Sequence, residues 1–270
     1  MKIGALVPLC AEVENEFKKL KEIGLTACQL CAWDHNLFTN EMAQQILLKM
    51  EETGVSVSTF WCGWGGPKVW DFYDGPLSLG LVPEEYRYAR MKMLIKGSDF
   101  AKLLGVSQIA THVGFIPENP YDPAYIALRS ALRYVVEHVR SNGQKFLFET
   151  GQETPVTLLR MIEDLGSDGL GVNFDPANLL MYGKANPTDA LEILGKYILD
   201  IHAKDGEYPI NSRELGEEKP LGEGRVDFPR FIKRLKELGY DGPITIEREI
   251  TGERQKRDII NAIVVLKKLI

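Results

Sequence analysis

Short apolar runs alternate along this chain with longer stretches in which apolar residues recur every three or four positions. The short runs read as strands: KIGALV (2–7), TACQLC (26–31), VSVSTF (55–60), SQIATH (107–112), KFLF (145–148), LGVNF (170–174), ILDIH (198–202) and PITIE (243–247). Between and after them lie one-faced, helix-like stretches. The first four are AEVENEFKKLKEI (11–23), NEMAQQILLKMEET (40–53), EEYRYARMKMLIKGSDFAKLL (84–104) and PAYIALRSALRYVVEHVRS (123–141). The next four are TPVTLLRMIEDL (154–165), PTDALEILGKY (187–197), FPRFIKRLKELG (228–239) and RQKRDIINAIVVLKKL (254–269). Gly24, Gly54, Gly105, Gly143, Gly166, Gly195 and Gly239 follow helix-like runs closely, where a positive φ at the C-cap favours glycine. Pro155 and Pro187 open two runs, and Thr154 is placed as an N-cap.

Eight strand–helix pairs in a chain of this length predict a (β/α)8 TIM barrel, an α/β fold. A doubly wound sheet suits six or seven units. No Pro/Ser-rich linker or break in composition interrupts the alternation, so residues 1–270 are expected to form a single TIM-barrel domain. Two segments, 61–82 and 204–226, exceed an ordinary βα loop and are expected to shape a pocket on the catalytic face.

The strand ends carry the candidate chemistry. Glu149 follows KFLF, Asp175 follows GVNF, His202 follows ILDI and Glu247 follows ITI. A parallel barrel gathers the C-terminal ends of its strands on one face. Three carboxylates and one imidazole there would bind one divalent metal ion, with Mn²⁺, Mg²⁺ or Co²⁺ preferred and Zn²⁺ also accommodated. His112 ends the fourth run and is expected near the same point, holding a substrate hydroxyl or relaying a proton. His35 reads as a structural residue with the pocket rim as the alternative, and His138 is placed on a helix surface.

Lys204 and Asp205 follow the histidine strand directly. Lys204 fits either a substrate oxygen or phosphate, or a salt bridge across the loop. Gln152 and Glu153 are weaker candidates for substrate contact. Trp61 or Trp64, after the third strand, offers an aromatic face to a sugar, with loop packing as the alternative. Cys28 and Cys31 have CxxC spacing, but residues three apart in a strand face opposite ways, so the pair reads as buried small hydrophobes.

The segments FETGQETP, GVNFDPANLLMYG, IHAKDG, PLGEGRVDFP and GPITIERE resemble the sugar phosphate isomerase/epimerase family. This is the xylose isomerase-like barrel superfamily that includes ketose 3-epimerases and inosose dehydratases. The order Glu, Asp, His, Glu on strands five to eight is similar to the metal site of the ketose 3-epimerases. The resemblance implies that Glu149 and Glu247 both hold the metal and move protons on opposite faces of a ketose carbon through a metal-stabilised enediolate. Asp175 and His202 are then pure ligands. Two departures stand out. Asn178 occupies the place of a substrate-touching histidine, and neither Arg213 nor Arg225 has the spacing of the family's arginine.

The implied activity is a divalent-metal-dependent isomerase or epimerase of a keto-sugar, a polyol ketone or its phosphate. The alternative is a lyase of the inosose dehydratase or keto-glycoside-eliminating kind, which shares the first proton abstraction. The chain is 44% hydrophobic and 26% charged, with net charge −6 and a pI of about 5.4. That balance argues against nucleic-acid and anionic-membrane partners. Four histidines are too few for the multi-metal cluster of a DNA-repair endonuclease on this barrel. A non-catalytic binding protein would not need four converging ligands, and no GxGxxG fingerprint lies between a strand and a helix. The expected partner is a small carbohydrate. The resemblance also implies a homo-oligomer, dimer or tetramer, and the start of the chain, with no signal-like segment, suggests a cytoplasmic protein.

Overall fold

All eight short apolar runs form strands, and the eight close into one parallel barrel. The structure, a computed structural model, describes residues 1–270. In chain order the first half runs β1 (Lys2–Pro8), α1 (Val13–Glu22), β2 (Ala27–Ala32), α2 (Asn40–Thr53), β3 (Ser56–Cys62), α3 (Gly75–Ser78), α4 (Glu84–Leu103), β4 (Gln108–Thr111) and α5 (Pro123–Ser141). There follow β5 (Lys145–Glu149), α6 (Pro155–Leu165), β6 (Leu170–Phe174), α7 (Pro176–Met181), α8 (Pro187–Leu194) and β7 (Ile198–Ala203). The remainder is β8 (Asp205–Gly206), β9 (Glu218–Lys219), α9 (Phe228–Glu237), β10 (Pro243–Ile246) and α10 (Glu253–Leu269). Around the barrel the order is β1-β10-β7-β6-β5-β4-β3-β2. β8 and β9 pair antiparallel inside the long 204–226 segment and stand outside the barrel. No helix is long and apolar enough to cross a membrane.

The two-residue period of each strand sorts side chains between barrel wall and lumen. Phe146 and Phe148 of β5 and Ile244 and Ile246 of β10 join the main apolar cluster with the helices. The alternate positions point inward, where many are polar and fully buried. Asp200 of β7 accepts hydrogen bonds from Ser58 Oγ and Thr59 Oγ1 (both 2.8 Å) and Thr245 Oγ1 (3.2 Å). β7 and β3 are not neighbours in the wall, so the bonds from Ser58 and Thr59 cross the lumen. Burial pushes the Asp200 carboxyl above its ordinary range, and the hydroxyls only partly offset that.

Several expectations change in detail. The stretch 187–197 divides into α8 and a 3₁₀ turn over Gly195–Tyr197. Gly195 has φ −50° and is therefore not a positive-φ cap; a Cβ there would lie 2.9 Å from Leu238 Cδ1, so packing explains the glycine. The other six glycines do have φ between 69° and 79°. Two short helices, α3 and α7, went unread because four and six residues are too few to display a helical period. Thr154 caps α6, its Oγ1 accepting from Thr157 N at 3.2 Å.

Candidate metal centre

Glu149 ends β5, Asp175 and Glu247 follow β6 and β10 directly, and His202 is the penultimate residue of β7. All four are buried, and their ligand-type atoms lie within 4.8 Å of one another. His202 Nδ1 is 3.0 Å from Glu247 Oε2, 3.2 Å from Glu149 Oε1 and 3.7 Å from Asp175 Oδ2. These approaches lack hydrogen-bond geometry: His202 Nδ1, Asp175 Oδ2 and Glu247 Oε2 are all buried without a hydrogen-bond partner. Buried polar atoms are nearly always paired, so three orphans facing one point mark a place for a shared partner. Three carboxylates and an imidazole suit a hard or borderline divalent cation.

Neighbouring groups aim these ligands. Asp175 is the N-cap of α7; its Oδ1 accepts from Asn178 N at 2.8 Å, which turns Oδ2 toward the cluster. His202 Nε2 lies 2.9 Å from Gln29 Oε1 and 3.0 Å from Asn173 Nδ2. With the proton on Nε2, Gln29 Oε1 accepts it and Nδ1 keeps its lone pair for a metal. Trp61 Nε1 donates to Glu149 Oε2, Asn178 Nδ2 donates to Glu149 Oε1 at 3.4 Å, and His112 Nε2 is 3.3 Å from the same oxygen.

The charges fit as well. Glu149, Asp175 and Glu247 face one buried ammonium, Lys204, whose Nζ is 3.4 Å from Glu247 Oε2 and 3.8 Å from Asp175 Oδ2. With His202 neutral, the three ligand carboxylates and Lys204 carry two negative charges in excess, which one divalent cation cancels; Glu249, 2.8 Å from Lys204, adds a further negative charge beside them. Burial pushes the Asp175 carboxyl up to about 6. Burial also opposes ionisation of Glu247, but Lys204 and His202 outweigh it and hold that carboxyl well below its usual range. At Glu149 the imidazoles of His112 and His202 likewise overcome burial. The carboxylates raise His202 and Lys204 in turn, against burial. The cluster thus draws positive charge to its centre, as a bound cation would satisfy.

Above the cluster opens a cavity of about 710 Å³. Glu149, Glu247, His112, Lys204, Asn178 and Trp61 all line it, whereas Asp175 and His202 lie beneath its floor, fully buried. Other expectations raised by the sequence need correction. Asp205 does not face the cavity: its carboxylate accepts four backbone N–H groups, from Gly206 (2.9 Å), Gly222 (2.9 Å), Gly224 (3.1 Å) and Val226 (3.1 Å), and pins the 204–226 segment. Gln152 and Glu153 are buried and are not among the lining residues. Trp64 packs beneath Trp61 and Trp33 without lining the cavity. His35 does not reach the rim; its Nε2 lies 3.0 Å from Gly63 O and braces the turn after β3. His138, by contrast, is on the helix surface as expected, paired with Asp99 at 2.7 Å. Arg225 pairs with Glu207, and Arg213 covers the Tyr73 ring; neither lines the cavity.

The two cysteines part company as the strand period demands. Cys28 is in the core, its thiol pushed up to about 12 by burial, but Cys31 is only half-buried and lines the cavity, so it is not a core residue. Cavity-lining residues that sequence reasoning missed include Trp33, Trp70, Tyr182, Arg248 and Glu249. Trp33, Arg248 and Glu249 stand within three residues of a strand end, so the rule that found the ligands could have reached them. Tyr182 depends on the unread α7, and Trp70 on the path of a long loop.

Comparison with known proteins agrees with this geometry. A family model described as xylose isomerase-like TIM barrel matches residues 17–269. The crystal structure of a xylose isomerase domain protein from Planctomyces limnophilus is 35% identical, with a TM-score of 0.94, covering 99% of this chain and 96% of that one. A D-tagatose 3-epimerase-like protein is 22% identical with a TM-score of 0.77 over 100% of this chain and 97% of its own, a likeness of fold. An uncharacterized protein of Methanocaldococcus jannaschii is 30% identical over 171 residues, 59% of this chain and 55% of its own. The match thus spans about half the length of that curated relative.

Proposed function

Because this chain belongs to the xylose isomerase-like TIM barrel family, we propose that it is a divalent-metal-dependent isomerase or epimerase of a keto-sugar or related polyol ketone, working by proton abstraction next to the carbonyl. The observation that carries this reading is the convergence of Glu149, Asp175, His202 and Glu247 within 4.8 Å, with orphaned ligand atoms, at the floor of a cavity. A divalent cation held there would act as a Lewis acid, stabilising negative charge on substrate oxygens.

The protein's own groups supply the rest. Of the four ligands, only Glu149 and Glu247 also line the cavity, so only they can both hold the metal and touch a substrate carbon. Both carboxyls are held below their usual range, so both are ionised and able to accept a proton. One takes the α-proton and the other returns it from the opposite face. Asp175 and His202, beneath the floor, act as ligands alone. Lys204 and Asn178, joined at 3.3 Å, are placed to orient substrate oxygens, and His112 sits between Glu149 and the cavity to hold a hydroxyl or pass a proton.

The test is proton exchange. The Mn²⁺-loaded protein is incubated in D2O with a panel of keto-sugars, and label is sought at the carbon beside the carbonyl. Exchange that stops on chelation and returns with metal is expected. No exchange with any keto-sugar, or exchange indifferent to chelation, would sink the proposal; label uptake accompanied by loss of water or of a glycosidic group would move the enzyme to the lyases.

A further inference from the structure

The cavity's walls and charges go further, to the class of substrate. Its lining contains two side chains with permanent positive charge, Lys204 and Arg248, and both are already engaged. Lys204 Nζ is 2.8 Å from Glu249 Oε2 and 3.4 Å from Glu247 Oε2. Arg248 is spanned by Glu218 at 2.7 Å and Asp258 at 2.8 Å. A phosphate needs free guanidinium or ammonium donors. With Glu149 and Glu247 committed to the cation, a phosphate would meet the carboxylate of Glu249 instead. Lys68, which has no carboxylate partner, stands 5.0 Å over the Trp33 ring and is not a lining residue.

The outer wall is aromatic. Trp33, Trp70 and Tyr182 line it together with Trp61. Trp33 and Trp70 keep 36% and 39% of their surface exposed, Trp33 with one face covered by Lys68, so part of each indole is available to a ligand. Trp70 stands edge-on to His112 at 5.4 Å between ring centroids, which places this wall next to the proposed chemistry. Size points the same way. A hexose has about a dozen heavy atoms and fills only about half of the 710 Å³, even at the ~30 Å³ per molecule of liquid water. The remainder is room for a second ring, and Trp33 and Trp70 are among the residues that line the cavity.

We infer that the substrate is an uncharged keto-sugar carrying a second ring, a keto-disaccharide or ketoglycoside, whose second ring packs on Trp33 and Trp70, and that sugar phosphates are excluded. This rests on the reaction proposed above and specifies what enters the site.

Calorimetric titration of the Mn²⁺-loaded protein tests it with four probes: D-fructose, D-fructose 6-phosphate, isomaltulose and lactulose. Isomaltulose and the phosphate carry their substituent on the same oxygen of fructose, so they compare a second ring with a charge. At least one two-ring sugar should bind about tenfold tighter than fructose, a difference of ~1.4 kcal/mol. The phosphate should bind no tighter than fructose. Trp70→Ala should shrink the two-ring advantage to less than about threefold. Tighter binding of the phosphate than of either two-ring sugar, two-ring sugars no tighter than fructose, or an advantage untouched by Trp70→Ala would each overturn the inference. Proton exchange on the same probes separates the two claims. Absent exchange with the expected binding order removes the reaction and keeps the pocket; fastest exchange on the phosphate does the reverse.

Discussion

Glu247 reaches the cavity and the ligand cluster at once. Glu247→Gln keeps an oxygen donor for the metal but cannot accept a proton. Turnover is expected to fall ~10²–10⁴-fold with partial retention of metal. Rates measured alongside metal content check this, and near-normal turnover in metal-loaded Glu247→Gln would place the base elsewhere. Glu153 gives a different residue-scale expectation. Burial pushes its carboxyl from an ordinary 4.5 up to about 8, and its Oε2 has no hydrogen-bond partner. Between those values the folded protein keeps a proton that the unfolded chain has released. Its stability is therefore whole below about pH 4.5 and is lost as pH rises toward about 8, by ~1.4 kcal/mol per unit. Glu153→Gln should remove that slope and be more stable than the parent at pH 7 by up to roughly 3 kcal/mol. Urea melts at about pH 5, 7 and 8.5 read the difference, and a gap that stays constant across them would show that Glu153 does not titrate in this window.

At the scale of elements, the 204–226 segment shows one side chain ordering a long loop. Asp205 gathers four backbone N–H groups, the farthest of them 21 residues along the chain at Val226. The loop delivers Leu215 to the cavity wall, and its Glu218 braces Arg248. Asp205→Ala would leave several donors unpaired and should cost at least ~2 kcal/mol, since bonds to a charged acceptor are worth ~1.5–3 kcal/mol each and are not additive. Thermal melts measure that cost. Hydrogen exchange should rise most at Gly222, Gly224 and Val226, and unchanged protection there would mean that other contacts hold the loop. β6 and α7 make a second such unit, in which capping the helix and presenting Asp175 Oδ2 to the cluster are one arrangement.

The whole barrel assembles the ligands and carries the strain of their mutual repulsion. Three carboxylates are held within one small volume, relieved in part by Lys204, His202 and His112. Metal binding is therefore expected to stabilise the entire fold. At a metal concentration ~100 times its Kd the gain is ~2.7 kcal/mol, on the order of 5 °C in Tm for a chain of this size. Scanning the chelated and Mn²⁺-loaded protein reads this directly. Equal Tm values at saturating metal would mean that the cluster binds no cation, and would remove the basis of the proposed reaction.

The alternation of short apolar runs with one-faced helical stretches determined the eight strands, their helices and closure, because burial on a period of two or 3.6 residues is a local property of sequence. The strand-end positions of Glu149, Asp175, His202 and Glu247 were legible for the same reason: a parallel barrel puts every strand's C-terminal end on one face. Beyond the last ladder bond that rule lapses. Lys204 and Asp205 are adjacent, yet one faces the cavity and the other anchors a loop, a choice made by loop backbone and by partners as distant in sequence as Val226. Gln152 looked as exposed to substrate as Asn178, but only Asn178, presented by α7, reaches the cavity. Trp33 and Trp70 lie 37 residues apart and share a wall only because β2 and the segment after β3 meet at the barrel mouth. Sequence period sets the direction of a side chain within a strand; the packing of loops against one another, which has no period, sets it everywhere else.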